Sequence, residues 1–127
     1  MLFRSKLANT TKLTDAAFRE KVRFVREEAA RHGRNPKAVK ISHVIFSPIL
    51  TDSTAATQQM AENMAGMMRV SPDEIRRSPI FLIGTPEECV VELKRRAREW
   101  ELSEIVFSGS LGEAGLRKVA KEILPHV

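Results

Sequence analysis

Residues 78–88, Ser-Pro-Ile-Phe-Leu-Ile-Gly-Thr-Pro-Glu-Glu, bring an apolar run, a glycine and a helix start together at consecutive positions. The run 80–83 is too short and too apolar to be an exposed helix. Thr85 and Glu88 have the spacing of a capping box, and the proline between them suits the first helical position. With the strand-like stretch 104–107 and the helical pattern after it, the segment predicts turn, helix, strand and helix, which is one βα step of an α/β protein.

Apolar residues at helical spacing predict three docking faces. The first helix is expected to begin at Thr14 or Asp15 and to end at residues 31–32, with Gly33 as its C-cap. Its apolar face would consist of Phe18, Val22, Val25 and Ala29, widened by Phe24. In the helices that flank the stretch 104–107, the predicted inward residues are Cys89, Val90, Leu93 and Ala97, and then Leu116, Val119, Ala120 and Ile123.

A strand is predicted at residues 39–46. There Val39, Ile41, His43 and Ile45 alternate with Lys40, Ser42, Val44 and Phe46. The second half is apolar on both sides, which is typical of a strand that is covered on both faces, as in parallel sheets under helices. Pro48 is expected to end this strand.

A methionine-rich helix is predicted next. Thr51 or Asp52 is expected to cap it, and it would run to about Arg69. One face would consist of Ala56, Met60, Met64 and Met67, and four of the five methionines of the chain lie between positions 60 and 68. This face suits a core or subunit contact, or alternatively a ligand-responsive pocket. Ser71 and Glu74 form a second capping box, which starts a short helix that Pro79 stops.

Seven motifs follow one another along the chain: Gly33-Arg34-Asn35-Pro36, the strand 39–46, Thr51-Asp52, Ser71-Pro72, residues 82–88, the strand 104–107 and Ile123-Leu124-Pro125. In this order they resemble the C-terminal part of the bacterial-luciferase-like family of flavin- or deazaflavin-dependent oxidoreductases. The resemblance covers residues 14–127. One departure is visible, because the family usually has a glycine before its last strand, where Trp100-Glu101-Leu102 stands here. Either the helix ends differently or Glu101 adopts a left-handed conformation.

The resemblance implies an α/β fold that is the C-terminal portion of a (β/α)₈ TIM barrel, with about two βα units and extra helices. A complete barrel needs ~250 residues, whereas this chain has 127. We therefore expect one partial domain from a monooxygenase or related oxidoreductase that uses reduced FMN or a deazaflavin on a small organic substrate. Alone, the chain is expected to be inactive, to bind no cofactor and to self-associate through uncovered barrel edges. The alternative is a free-standing α/β interaction or regulatory module that binds a partner through its methionine-rich face.

Two features are candidates for binding. The loop of Ser108, Gly109 and Ser110 precedes a helix and offers backbone N–H groups and hydroxyls to a flavin or substrate phosphate, or else it is a plain flexible loop. His43 would contact the substrate or a cofactor edge if its strand faces a site, and is otherwise a core histidine. No residue is assigned a catalytic role, since the flavin performs the redox chemistry in such enzymes.

Composition narrows the classes of partner. Lys and Arg number 21 against 16 Asp and Glu, but the two signs alternate along the helices, and the basic run 94–98 lacks aromatic or glycine interleaving. A nucleic-acid partner is therefore not predicted, and neither is a metal site or a membrane span. The single cysteine, Cys89, excludes an internal disulfide, fits a reducing cytoplasm, and suits a buried thiol better than a reactive one. Residues 2–5, Leu-Phe-Arg-Ser, match the translated tail of a sequencing adapter, so residues 1–5 are either a non-native scar or an ordinary terminus.

Overall fold

The computed structural model describes residues 14–127, and the possible scar at residues 1–5 lies outside that range. The described part of the chain is a helix-rich α/β fold with four short strands. Single 3₁₀ turns occur at Pro36–Ala38, Gly109–Leu111 and Leu124–His126. The element order is α1 (Asp15–Arg31), β1 (Ser42–Ile45), β2 (Ser47–Leu50), α2 (Thr54–Met68), α3 (Pro72–Arg77), β3 (Phe81–Gly84), α4 (Pro86–Glu99), β4 (Glu104–Phe107) and α5 (Gly112–Glu122).

The strands form two parallel pairs. β1 pairs with β4, with Ser42 opposite Glu104, and β2 pairs with β3, with Ser47 opposite Phe81. The apolar run 80–83, which is too short and too apolar for an exposed helix, thus forms most of the strand β3. Parallel pairing requires a crossover, and in both pairs the intervening chain contains helices.

The predicted single strand at 39–46 is wrong in its bounds, because two strands follow one another at 42–45 and 47–50. Pro48 does not end a strand, as predicted, but lies inside β2. Ser47 donates its N–H to the Ile80 carbonyl, and Thr51 donates to the Gly84 carbonyl. By alternation, the nitrogen of Pro48 points away from β3, so its missing N–H costs the ladder no hydrogen bond.

Local cap chemistry fixes the start of α4. The Glu88 N–H donates to Thr85 Oγ1 at 3.2 Å, and the Thr85 N–H donates to Glu88 Oε2 at 2.9 Å, which completes the predicted capping box. The second predicted box, between Ser71 and Glu74, is also present at the start of α3. At α2 the predicted caps are wrong, because Ser53 occupies the N-cap and accepts a hydrogen bond from the Ala56 N–H.

The end of α4 resolves the departure from the luciferase-like pattern. Glu101 has φ 54° and therefore takes the left-handed conformation, which was one of the two expected outcomes. The Leu102 N–H reaches back to the Ala97 carbonyl at 3.0 Å, which is the bond of a Schellman motif. Helix α1 ends as predicted, with Gly33 at φ 72°.

Two apolar clusters form the core. In the first, α4 and α5 pack on β1 through Ile45, Leu82, Cys89, Leu93, Val119 and Ile123. In the second, α2 and α3 pack on β3 through Ala61, Ala65, Ile75, Ile80, Phe81 and Ile83. The β3 strand contributes to both clusters and is buried at all four positions.

Several predicted helix faces need correction. On α2 the buried residues are Thr57, Ala61 and Ala65, and the methionines only flank them, with Met67 81% exposed. Among the residues predicted to point inward, those now found exposed are Val25 and Phe24 on α1, Ala56 on α2, Ala97 on α4, and Leu116 and Ala120 on α5. Small residues line the contact of α2 because they let that helix approach β3 closely.

None of the helices in the described part of the chain combines the length and the apolar character that a membrane span requires.

Candidate functional site

The loop after β4 lies at the carboxyl end of the β1–β4 pair. The Ser108 N–H donates to the Ile45 carbonyl at 3.1 Å, and Ser108 Oγ donates to the Phe46 carbonyl at 2.8 Å. Ser108 Oγ and Ser110 Oγ lie 2.9 Å apart. The structure therefore brings Ser108, Gly109 and Ser110 to the ends of two parallel strands, as predicted, but the Ser108 hydroxyl is engaged within the chain.

Helix α5 begins directly after this loop without a side-chain cap. Gly112 has φ 68°, a conformation that L side chains rarely adopt. The Gly112 N–H donates to the Gly109 carbonyl, and the N–H groups that follow it in the first turn have no side-chain cap among the described residues, an arrangement that favours an anion. Glu113 in the first turn carries the same sign as that anion, but it is held by Arg117 at 2.6 Å. The backbone donors fit a phosphate, whereas the hydroxyl of Ser108 adds little.

One face of the β1–β4 pair, which we call the open face, is not covered by any helix in residues 14–127. It carries Val44, Phe46 and Val106, which are 38%, 61% and 41% exposed. Val44 and Val106 are register partners, and at the opposite end Ser42 Oγ donates to Glu104 Oε2 at 2.7 Å. The expectation that the strand is covered on both faces is wrong for the described residues, because only the side of His43 and Ile45 is buried.

His43 lies on that covered side. Its ring is 4% exposed and meets the rings of Phe18 and Trp100 edge-on, at centroid distances of 5.3 Å in both cases. Burial, assisted by the positive charge of Arg96, lowers the pKa of His43 to about 4, so the ring is neutral at pH 7. The structure does not place His43 on the open face with Phe46, and its contact with a substrate stays a prediction that this position does not favour.

Arg96 organises the covered side, and the sequence interpretation missed it. Its side chain is fully buried, with Nε 2.7 Å from Glu92 Oε1 and Nη2 donating to the carbonyls of Ser78 at 3.1 Å and Phe81 at 2.7 Å. The guanidinium also lies 5.0 Å from the ring centroid of Trp100. The basic run 94–98 suggested a solvated face, but Cys89, Leu93, Arg96 and Trp100 share one helical stripe, and that spacing was the available signal.

Neighbouring charges tie α1 to α4. Trp100 Nε1 donates to Asp15 Oδ1 at 2.7 Å, and Arg95 contacts the same carboxylate at 3.1 Å. Arg95 also pairs with Glu92 at 2.7 Å and with Glu99. Partial burial acts to raise the pKa of Asp15, but the hydrogen bonds from Trp100 and Arg95 together outweigh it and keep that pKa below its usual value. These contacts are structural, because every charged group in them has a partner inside the chain.

A groove between α3 and α4 offers no free reactive group among the described residues. A groove of about 370 Å³ lies between α3 and α4, and its charged residues include Arg76, Glu88 and Glu92. Glu88 accepts a hydrogen bond from Thr57 Oγ1 at 2.6 Å and Glu92 is paired with Arg96, so both carboxylates are already engaged by residues of this chain.

The thiol of Cys89 is inert. Burial and then the charge of Glu88 raise the pKa of Cys89 to about 12. Residues 14–127 contain no cluster of side chains suited to a metal ion.

Comparison with known proteins adds two solved structures to this description. One is a riboflavin lyase (RcaE), determined with modified FMN and the substrate riboflavin, with a TM-score of 0.62 and 14% identity over 87% of this chain and 36% of that chain. The other is a long-chain alkane monooxygenase (LadA), with a TM-score of 0.57 and 13% identity over 85% and 33%. No family model and no curated protein matches the chain.

The likeness confirms the resemblance to luciferase-like flavin enzymes at the level of the fold. This chain spans about a third of the length of the structures it matches. At 13–14% identity the match concerns the arrangement of helices and strands, and the identities of site residues do not follow from it.

Proposed function

We propose that this chain supplies the last two βα units of a luciferase-like (β/α)₈ barrel, and that the complete barrel is a flavin- or deazaflavin-dependent oxidoreductase. The observation that carries the proposal is the asymmetry of the β1–β4 pair. Helices α4 and α5 cover the face of Ile45, whereas Val44, Phe46 and Val106 lie bare on the opposite face. A barrel of this kind has helices outside its strands and a packed interior, so the open face corresponds to the interior that further strands would fill.

The comparisons support this proposal through both fold and extent. Each match covers only 33–36% of the other chain, which is consistent with a partial barrel. The riboflavin lyase structure contains modified FMN, which supports a flavin as the cofactor of the complete enzyme. The choice between reduced FMN and a deazaflavin, and the identity of the small organic substrate, follow from residues outside these two units.

In the complete barrel, the loop 108–110 would lie at the C-terminal face, where barrel enzymes bind their ligands. The uncapped N–H groups at the start of α5 would face an anionic group such as the flavin phosphate. The cofactor supplies the electron transfer, and the part of the chain described here would bind and orient it. The buried single thiol Cys89 suits a reducing cytoplasm as the location of the enzyme.

Alone, the chain is expected to have no flavin site of its own. The test is a titration of the purified chain with oxidised FMN, reduced FMN and the deazaflavin cofactor, followed by fluorescence, with the mass recorded by light scattering. We expect no saturable binding and a mass above 14.3 kDa. Saturable micromolar binding by a homogeneous monomer would show that these units form a complete site, and the partial-barrel proposal would be wrong.

The alternative, a free-standing interaction or regulatory module, has less support. It required the methionine-rich face of α2 for a partner, but Met60, Met64 and Met68 already pack against the cluster around Ile80 within this chain. Met67 is left exposed there, and one side chain is a small recognition surface. A soluble, cooperative monomer that binds no flavin and does not associate would favour this alternative.

A further inference from the structure

We infer that the open face docks a second copy of this chain, with β1 of each copy lying over β4 of the other. The inference rests on the proposed function, since in a complete barrel other strands would cover this face. It goes further by naming the occupant when the chain is alone and the arrangement that the occupant takes.

The apolar centre of the open face is self-complementary. Val44 lies beside its register partner Val106, and Phe46 extends one step beyond them towards the loop. A second open face offers the same three side chains at the same spacing, and two sheets can stack ~10 Å apart with their side chains interleaved. The contact would be isologous, which closes at two copies.

The charges at the other end of the face select the arrangement. Exposure alternates from residue 39 to residue 46, with Lys40, Ser42, Val44 and Phe46 exposed, so Lys40 is placed on the same side as Ser42. Glu104 lies opposite Ser42 in β4. Lys40 is exposed and has no ion pair among the residues that the structure describes. The carboxylate of Glu104 accepts a hydrogen bond from Ser42 and has no ion pair with any residue in 14–127.

A two-fold axis parallel to the strands brings these charges together. It places β1 over β4 of the other copy, so that Val44 packs on Val106 and each Lys40 lies beside the Glu104 of the second copy. A two-fold axis across the strands would instead set Lys40 over the end that carries Phe46, where no carboxylate lies on the face. Charge complementarity therefore favours the parallel stacking.

The size of the face sets the strength of association. The three apolar side chains expose on the order of 250 Å² per copy, which is well below the ~800 Å² per partner of a standard stable interface. The association is therefore weak and reversible. The mass should rise from 14.3 kDa towards twice that value with concentration, and should fall again when salt screens the two ion pairs.

The experiment is sedimentation equilibrium of the full chain from roughly 10 µM to 1 mM at low salt. Val106→Asp should raise the dimer dissociation constant at least about tenfold, because it desolvates a carboxylate against Val44 of the other copy. The control Val91→Asp, at a 70% exposed position of α4, should leave the constant within about twofold. Far-ultraviolet circular dichroism confirms that each variant is folded.

A charge swap tests the arrangement separately from the face. Lys40→Glu alone and Glu104→Lys alone should each weaken association about threefold or more, and the double variant should restore it to within about twofold of the wild type. A monomeric wild type at every concentration, or unchanged association of V106D, would overturn the proposal. A double variant as weak as the single ones would overturn the parallel arrangement. Unchanged association of V106D overturns only this inference, whereas saturable flavin binding by the monomer overturns the proposed function, so the two failures can be told apart.

Discussion

Arg96→Met is expected to cost this protein a large part of its stability. The guanidinium is fully buried and makes three short contacts, one to Glu92 and two to the carbonyls of Ser78 and Phe81. Hydrogen bonds that involve a charged group contribute about 1.5–3 kcal/mol each, which gives a gross loss of roughly 4–9 kcal/mol. Methionine retains most of the apolar stem, so the packing loss is small.

Two effects reduce that gross figure. The variant no longer buries a charge, a cost that is visible in the lowered pKa of Arg96. Glu92 also keeps Arg95 as a partner at 2.7 Å, so its carboxylate is not left alone. We therefore expect the free energy of unfolding to fall by about 3–5 kcal/mol, the range seen when one member of a buried pair is removed.

Urea unfolding followed by Trp100 fluorescence measures this effect, because Trp100 is the single tryptophan and is fully buried. With a slope of about 1–3 kcal/mol per molar urea, the midpoint should move by at least ~1 M. Circular dichroism gives a second probe, since Arg96 lies against the tryptophan ring. The matched control is Arg98→Met on the exposed side of α4, which should change stability by less than about 0.5 kcal/mol. An R96M variant within ~1 kcal/mol of the wild type would refute the reasoning.

Three further outcomes are expected. The pKa of His43 is lowered in the folded chain, so the unfolded chain binds the proton first as the pH falls. The free energy of unfolding should therefore fall by roughly 1 kcal/mol per pH unit between about pH 6 and pH 5. His43→Leu should remove this slope in urea titrations, whereas His32→Leu at an exposed site should leave it. The thiol of Cys89 should resist a disulfide reagent at pH 8 in the native chain and react stoichiometrically in urea, and prompt native labelling would contradict its buried state. Glu101→Gly should raise the free energy of unfolding by about 0.5–1 kcal/mol in thermal melts, because φ 54° strains any residue that carries a Cβ. The control Glu101→Ala keeps that strain and loses the same ion pair with Arg26. Equal effects of the two substitutions would argue against relief of strain.

The parts of the fold that local chemistry determines could be predicted from the sequence. Thr85 and Glu88 cap α4 because their spacing satisfies two backbone donors within one turn, whatever the rest of the chain does. The same holds for Ser71 and Glu74, and for Gly33 at the end of α1. The alternation that placed His43 and Ile45 on one side of their strand was also correct.

The parts that depend on distant partners could not be predicted. Pro48 looked like a strand end, and only the pairing of β2 with β3 shows that its nitrogen faces away from the ladder. Thr57 belongs to a residue type that is mostly exposed, and it is buried here because Thr51 and Glu88 lie within reach of its hydroxyl. Arg96 belongs to the basic run 94–98, which suggested a solvent-exposed face. Its burial depends on the carbonyl acceptors of Ser78 and Phe81, which lie 18 and 15 residues earlier in the chain.

The loop 108–110 shows the same division for the candidate site. Its position after the strand β4 followed from the element order, and the structure confirms that position. The engagement of Ser108 with the Phe46 carbonyl did not follow, because it depends on the register between strands 62 residues apart. Binding of a cofactor at this loop stays a prediction.

The pairing of Ser42 with Glu104 also determines when this protein can finish folding. Those residues are 62 positions apart, whereas the β2–β3 pair joins residues with about half that separation. Closing a longer loop costs more chain entropy before any contact repays it, so β1 and β4 should meet after β2 and β3 have joined. During synthesis, β1 must wait unpaired until nearly the whole of this sequence has been made, with the apolar stretch from His43 to Phe46 open to other chains.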